Sequence, residues 1–166
     1  NSGTATTTAI ITVTPTVNGC VGMPSNYTIT VNPSPTVNVP ASSTACHASL
    51  VSMASFSSPT AGTTYTWANN NTAIGLAASG TGNILPFTAN NPGAQAVTAT
   101  ITVTPEANSC IGTPSIFTIT VNPLPVITFA PMPQLCHTSP PFALAQASPA
   151  GGTYSGNGIA AGMFDP

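Results

Sequence analysis

Apolar and polar residues alternate with a period of two in several stretches of the chain. Ala9, Ile11 and Val13 are interleaved with Thr8, Thr12 and Thr14, and Tyr27, Ile29 and Val31 with Thr28, Thr30 and Asn32. This pattern predicts half-buried strands with an apolar face inward and a threonine face outward. The connection from Pro15 to Pro24 carries Asn18-Gly19 and Gly22, and antiparallel pairing is its simplest reading. The same alternation returns at Val97–Val103 and Ile116–Val121. Between these blocks, strands are expected near Thr36–Pro40, Leu50–Phe56, Thr63–Trp67, Ile74–Leu76 and Ile84–Thr88. Turns are expected at 43–47, 57–62, 79–83 and 90–94. About seven short strands at this spacing predict an all-β fold, an antiparallel β-sandwich. No segment carries a 3.6-residue period.

The alternating blocks belong to a repeat. Ile11–Pro33 returns as Ile101–Pro123 at an offset of 90 residues, and the offset continues through Pro35/Pro125, Cys46/Cys136 and His47/His137. A period of this size marks an array of equivalent units. Asn32-Pro33-Ser34-Pro35 and Asn122-Pro123-Leu124-Pro125 read as short, stiff, extended joints, because each proline fixes its own φ and keeps its predecessor out of the helical region. The expected organisation is therefore the last strands of one repeat (1–33), a complete repeat (34–123) and the first part of a following one (124–166). A chain that begins and ends in mid-repeat reads as an internal piece of a longer protein.

Composition narrows the function. The chain has no Lys or Arg, and only Glu106 and Asp165 are acidic. Without cations it has nothing to displace counterions from phosphates, so nucleic acid is excluded as a partner, as is an anionic membrane surface. Two distant carboxylates do not build a calcium site. No run reaches the ~18–20 apolar residues of a membrane span, so no membrane insertion is expected. Four cysteines at repeat-related positions in a charge-poor, Thr-rich chain point to an oxidising, extracellular setting.

Candidate chemistry is sparse. Cys46-His47 and Cys136-His137 resemble metal or nucleophile pairs, but zinc needs four converging ligands and a Cys–His nucleophile needs an orienting third group. The plainer reading is a turn with a structural Cys. No catalytic, metal or cofactor residues are assigned. Trp67, the sole Trp, shares a strand face with Tyr65 and reads as a core plug. The alternative makes Trp67 and Tyr65, with Asn69, Asn70 and Asn71, a surface platform for ligand contact.

The runs Thr64-Tyr-Thr-Trp-Ala-Asn-Asn-Asn, Ile74-Gly-Leu-Ala-Ala-Ser-Gly-Thr-Gly-Asn-Ile84 and Ala99-Thr-Ile-Thr-Val-Thr-Pro, with Cys110-Ile-Gly-Thr-Pro and Phe117-Thr-Ile-Thr-Val-Asn-Pro123, resemble the PKD-like repeat domains of large Bacteroidetes surface proteins. These include gliding-motility adhesins and other giants exported by the type IX system. Pro149-Ala-Gly-Gly-Thr-Tyr-Ser-Gly-Asn-Gly-Ile159 is similar to another immunoglobulin-like module of such proteins. The resemblance implies secreted, tandem immunoglobulin-like (PKD-like) β-sandwiches in a cell-surface stalk, and brings no catalytic residues.

Four cysteines allow three complete pairings. Equivalent units should make equivalent bonds, which disfavours Cys20–Cys110 with Cys46–Cys136. Cys20–Cys46 with Cys110–Cys136 fits the repeat, as does Cys46–Cys110 within the complete unit, and the latter is preferred. Against it, the first turn and last hairpin of an immunoglobulin-like unit lie at opposite ends, whereas bridged Cα atoms lie within about 7 Å. If that topology holds, the partner of Cys46 is the hairpin of the next unit. The function expected is a non-catalytic structural repeat whose partners are neighbouring repeats and, through self-assembly into a filament, other chains. The alternative is an adhesive module in which the repeats themselves grip surface glycans.

Overall fold

The computed structural model describes residues 1–166. They form two compact units, Asn1–Pro123 and Leu124–Pro166.

The first unit opens with a long hairpin of β1 (Thr7–Val13) and β4 (Ser25–Val31), tipped by β2 (Thr16–Val17) and β3 (Cys20–Val21). Asn18 and Gly19 both have positive φ, the backbone a tight two-residue hairpin requires.

A two-layer β-sandwich follows in the same unit. Its main sheet is built from β5 (Ser43–Cys46), β7 (Thr64–Asn69), β8 (Ser79–Thr81), β10 (Val97–Ala107), β11 (Cys110–Ile111) and β12 (Ser115–Asn122), in the order β5-β12-β10-β7-β8 with β11 beside β10. All neighbours are antiparallel except β5, which runs parallel to β12 with Cys46 opposite Asn122. A second, thinner layer holds β6 (Leu50–Val51), β9 (Phe87–Thr88) and a bridge between Asn38 and Ser57. The two layers close on a core to which the main sheet gives Trp67, Ala99, Ile101, Val103, Phe117, Ile119 and Val121. The second layer gives Val37, Val51, Phe56, Ile84 and Ala89. Along β10 the inward positions from Ala99 to Ala107 are buried and the threonines between them half-buried. This matches the alternation seen in the sequence.

Several expected elements differ. Residues 43–47, expected as a turn, supply the edge strand β5, because β12 lies alongside and accepts these small residues in parallel register. Residues 36–40 make only the Asn38 bridge. Ile74 belongs to a 3₁₀ turn (Thr72–Ile74) capped by the Asn71 side chain and closed by Gly75 at φ 92°. Ser79–Thr81, expected as a turn, is strand β8, with Gly80 opposite Trp67. A Cβ on Gly80 would lie 2.3 Å from the Trp67 ring, so the glycine makes room for the indole.

The second unit consists of short pairs: β13 (Thr128–Phe129) with β15 (Ala147–Ser148), and β14 (Phe142–Ala143) and β16 (Ile159–Ala160) on either side of β17 (Met163–Phe164). Its Cys136–Ser139 turn, closed by the Ser139 N–H donating to the Cys136 carbonyl at 2.9 Å, repeats the Cys46–Ser49 turn, closed the same way at 3.1 Å.

Candidate functional site: the joint between repeats

The first hairpin and the β10–β12 hairpin are the same object in two settings. Ile11 faces Tyr27 as Ile101 faces Phe117, and Thr7 faces Val31 as Val97 faces Val121. Gly22 donates to the Pro15 carbonyl at 2.8 Å, as Gly112 does to the Pro105 carbonyl. Even the loops preceding them agree. Asn91 donates to the Gln95 and Val121 carbonyls at 2.8 and 2.7 Å and accepts from the Gly93 N–H. Asn1 donates to Ala5 and Val31 at 2.7 and 2.9 Å and accepts from Gly3. The 90-residue equivalence thus reaches back to the first residue.

Burial separates the two copies. Ile101 is 0% exposed and Phe117 3%, whereas Ile11 is 45% and Tyr27 67% exposed; Val13, Ile29 and Val31 are likewise exposed and Val103, Ile119 and Val121 buried. The first hairpin therefore presents a folded, registered half of a β-sandwich core to solvent. Covering these five side chains is worth about 1.5–3 kcal/mol each, comparable in sum with the net stability of a whole domain.

Between the copies lies the joint. Pro33, Pro35 and Val37 are buried while Ser34, Thr36 and Asn38 are exposed, the alternation of an extended chain lying on a surface. That surface is the tip of the β10–β11 hairpin. The Asn32 amide donates to the Asn108 carbonyl at 3.2 Å, and the Ser34 hydroxyl approaches the Ile111 carbonyl at 3.5 Å. Gly112 is indispensable to the fit, since a Cβ there would sit 1.8 Å from the Pro35 carbonyl oxygen. Its counterpart Gly22 has no such neighbour: a Cβ there would meet only Pro15, nearest at 2.9 Å. The expected extended joint is therefore packed onto the repeat it leads into.

The residues of the alternative, ligand-contact reading all make contacts within the fold. Trp67 is buried in the core, which removes it as a stacking platform. Tyr65 is partly buried and meets Phe56 edge-on, ring centroids 5.7 Å apart. Asn69 is buried, donates to the Leu76 and Ala77 carbonyls and accepts from the Asn71 N–H. Asn70 accepts from the Thr100 N–H at 2.7 Å. Asn71 caps the 3₁₀ turn and donates to the Thr98 carbonyl. Asn70 and Asn71 tie the loop after β7 to β10, and Asn69 holds the loop on itself; of the three only Asn70 is exposed. His47 accepts from the Asn91 N–H at 2.9 Å through Nδ1, so it too serves the fold.

Cys20, Cys46, Cys110 and Cys136 are all free. The preferred Cys46–Cys110 bond within the repeat is not formed, for a geometric reason. Cys46 lies beside Asn122 at one end of β12, and the other end, Ser115, is seven residues away, roughly 23 Å at the rise of a strand. Cys110 lies beyond that end. No group of three or more His, Cys, Asp or Glu side chains converges on a metal-sized site.

Asn91 was not singled out by its sequence, although Asn1-Ser-Gly3 and Asn91-Pro-Gly93 stand at the same 90-residue offset. Asn91→Ala removes a buried amide and its hydrogen bonds to the Gln95 and Val121 carbonyls, so a loss of about 1–3 kcal/mol is expected. Urea unfolding of the full chain followed by circular dichroism measures it. An unchanged midpoint would show that the amide does not hold the end of β12.

The two-layer, all-β architecture, with a prolyl segment seated on its hairpin tip, places the chain among the immunoglobulin-like β-sandwiches. The PKD-like domain family model matches residues 43–125, half of the chain, and the chain belongs to that family. No curated protein matches it.

Proposed function

We propose that the chain is a structural, non-catalytic repeat module of a secreted cell-surface stalk or filament, in which each repeat seats the joint of the one before it. The observation that carries this reading is the buried Pro33–Pro35 joint held against Asn108, Ile111 and Gly112. A free linker lets its domains tumble; a joint with both prolines buried holds them in one relative orientation. Composition supports an exposed, extracellular role. A surface without Lys or Arg offers trypsin-like proteases no cleavage site, and low net charge permits close lateral approach of neighbouring chains. No helix is long and apolar enough to cross a membrane. The natural partners on this reading are preceding and following repeats of the same protein.

Residues 34–90, placed again ahead of Asn1, supply the part of the first repeat that precedes its hairpin. The resulting chain has two complete repeats and tests the proposal by small-angle X-ray scattering. A rod with the cross-section of one repeat is expected, its maximum dimension close to that of the original chain, because the first hairpin already spans the length of its repeat. A scattering curve of freely jointed beads would refute the stalk. Saturable binding of the same chain to immobilised polysaccharide would instead make the repeat an adhesive module.

A further inference from the structure

We infer that successive repeats are joined covalently, by a disulfide between the Cys46 position of one repeat and the Cys110 position of the next. The inference rests on the stalk reading and on the geometry of the one joint resolved in full. Cys46 ends β5, directly opposite Asn122 in the parallel register, and the His47 N–H donates to the Asn122 carbonyl at 2.8 Å. The residue equivalent to Asn122 in the preceding repeat is Asn32, and Asn32 donates to the Asn108 carbonyl, two residues from Cys110. The Cys46 position of a preceding repeat therefore stands beside Asn32 from one side of the joint. Cys110 stands near the same asparagine from the other.

The two copies of the hairpin cysteine bear this out. Cys20 is exposed, but Cys110, its equivalent 90 residues on, is partly covered. Their hairpins share register and turn, and two things set the second apart: the sandwich closed over its inner face and the joint lying on its tip. Cys110 is thus a thiol at the joint surface. Cys46 is exposed at the opposite pole of its repeat, and Cys136, on the equivalent turn, is exposed too. The arrangement accounts for four free thiols at once, because each has its counterpart in an adjoining repeat rather than in its own. It also disposes of Cys20–Cys46, whose members lie at the outer ends of two successive repeats.

The reaction is an ordinary exchange. The thiolate of one cysteine attacks a sulfur of a disulfide oxidant, releasing one thiol and forming a mixed disulfide. The second thiolate then displaces the other half of the oxidant, so two protein thiols are oxidised and one small disulfide is reduced to two thiols. Oxidised glutathione is the probe.

The test uses the same extended chain, with residues 34–90 repeated ahead of Asn1, which carries five cysteines. After incubation with oxidised glutathione and alkylation, non-reducing peptide mapping after pepsin digestion should find one disulfide, between the added copy of Cys46 and Cys110. Cys20, the original Cys46 and Cys136 should be alkylated or carry glutathione. In the Cys110→Ser variant the added Cys46 should remain unpaired. No bond, or a bond from either Cys46 copy to a cysteine of its own repeat, would overturn the proposal. Scattering from the reduced extended chain separates the two readings. A rod without the bond refutes the disulfide and leaves the stalk, whereas flexible beads refute both. The original chain provides a second measurement independent of the extension. Cys110 should react with an uncharged maleimide at least several-fold more slowly than Cys20, and equal rates would mean that the joint does not cover it.

Discussion

Replacing Trp67 with alanine is expected to unfold the central repeat. The indole is buried among the side chains that close the two layers, with Val103 opposite it on β10 and Gly80 opposite it on β8. Truncating a buried aromatic to alanine costs about 3–5 kcal/mol, and a domain of this size has only about 5–15 kcal/mol to lose. Urea unfolding of the full chain by circular dichroism should show the midpoint collapse or the transition disappear. Gly80→Ala attacks the same contact from the other side, since its Cβ would lie within 2.3–3.0 Å of three indole atoms. The two substitutions share one space, so the double variant should be less damaged than the sum of the singles. Trp67→Phe should be far milder than Trp67→Ala. It keeps most of the apolar volume and removes the indole N–H, which is buried without a hydrogen-bond partner. A Trp67→Ala chain with an unchanged midpoint would put the indole outside the core and reopen the platform reading.

The parts of this fold that were legible in the sequence are those written in alternation and in the repeat. The hairpins of Ile11 with Tyr27 and of Ile101 with Phe117 declare themselves by period two, and their joints by paired prolines. What escaped was decided by distant partners. Ser43–Cys46 has small residues that suit a turn, and becomes a strand only because β12, more than 70 residues on, offers an edge. Ser79-Gly80-Thr81 reads as a turn for the same local reason, yet its glycine is there to pass the Trp67 ring. Ile74 and Leu76 are apolar and alternate, but Gly75 at positive φ and the Asn71 cap wind the backbone into a 3₁₀ turn. Asn69–Asn71 suggested a groove because amides bind sugars, but amides also satisfy buried backbone, and nothing local distinguishes the two. The joint was legible as a stiff segment but not as a docked one, since its seat is formed by residues about 75 positions later.

That seat yields the sharpest comparison within a single chain. Gly112→Ala would place a methyl group 1.8 Å from the Pro35 carbonyl oxygen and 2.8 Å from its carbon. Backbone cannot yield as the end of a side chain can, so either the joint lifts off or the hairpin tip distorts. Lifting the joint exposes Pro33 and Pro35 and breaks the Asn32–Asn108 hydrogen bond, a loss of at least about 2 kcal/mol from buried apolar area and the hydrogen bond together. The β10–β12 ladder is untouched by the change, so the sheet should persist. Hydrogen exchange should therefore quicken in the hairpin tip that carries the joint, at Cys110, Ile111 and residue 112, which pair with β10, while Ala99–Val103 stays protected. Gly22→Ala is the internal control. The same residue in the same turn meets only the Pro15 side chain and carbonyl there, and its effect on the joint should be negligible. If both alanines left exchange at the joint unchanged, the prolines would not be seated on Gly112, and the rigid stalk would lose its structural basis. If only Gly112→Ala releases the joint, this glycine makes the segment a socket rather than a tether.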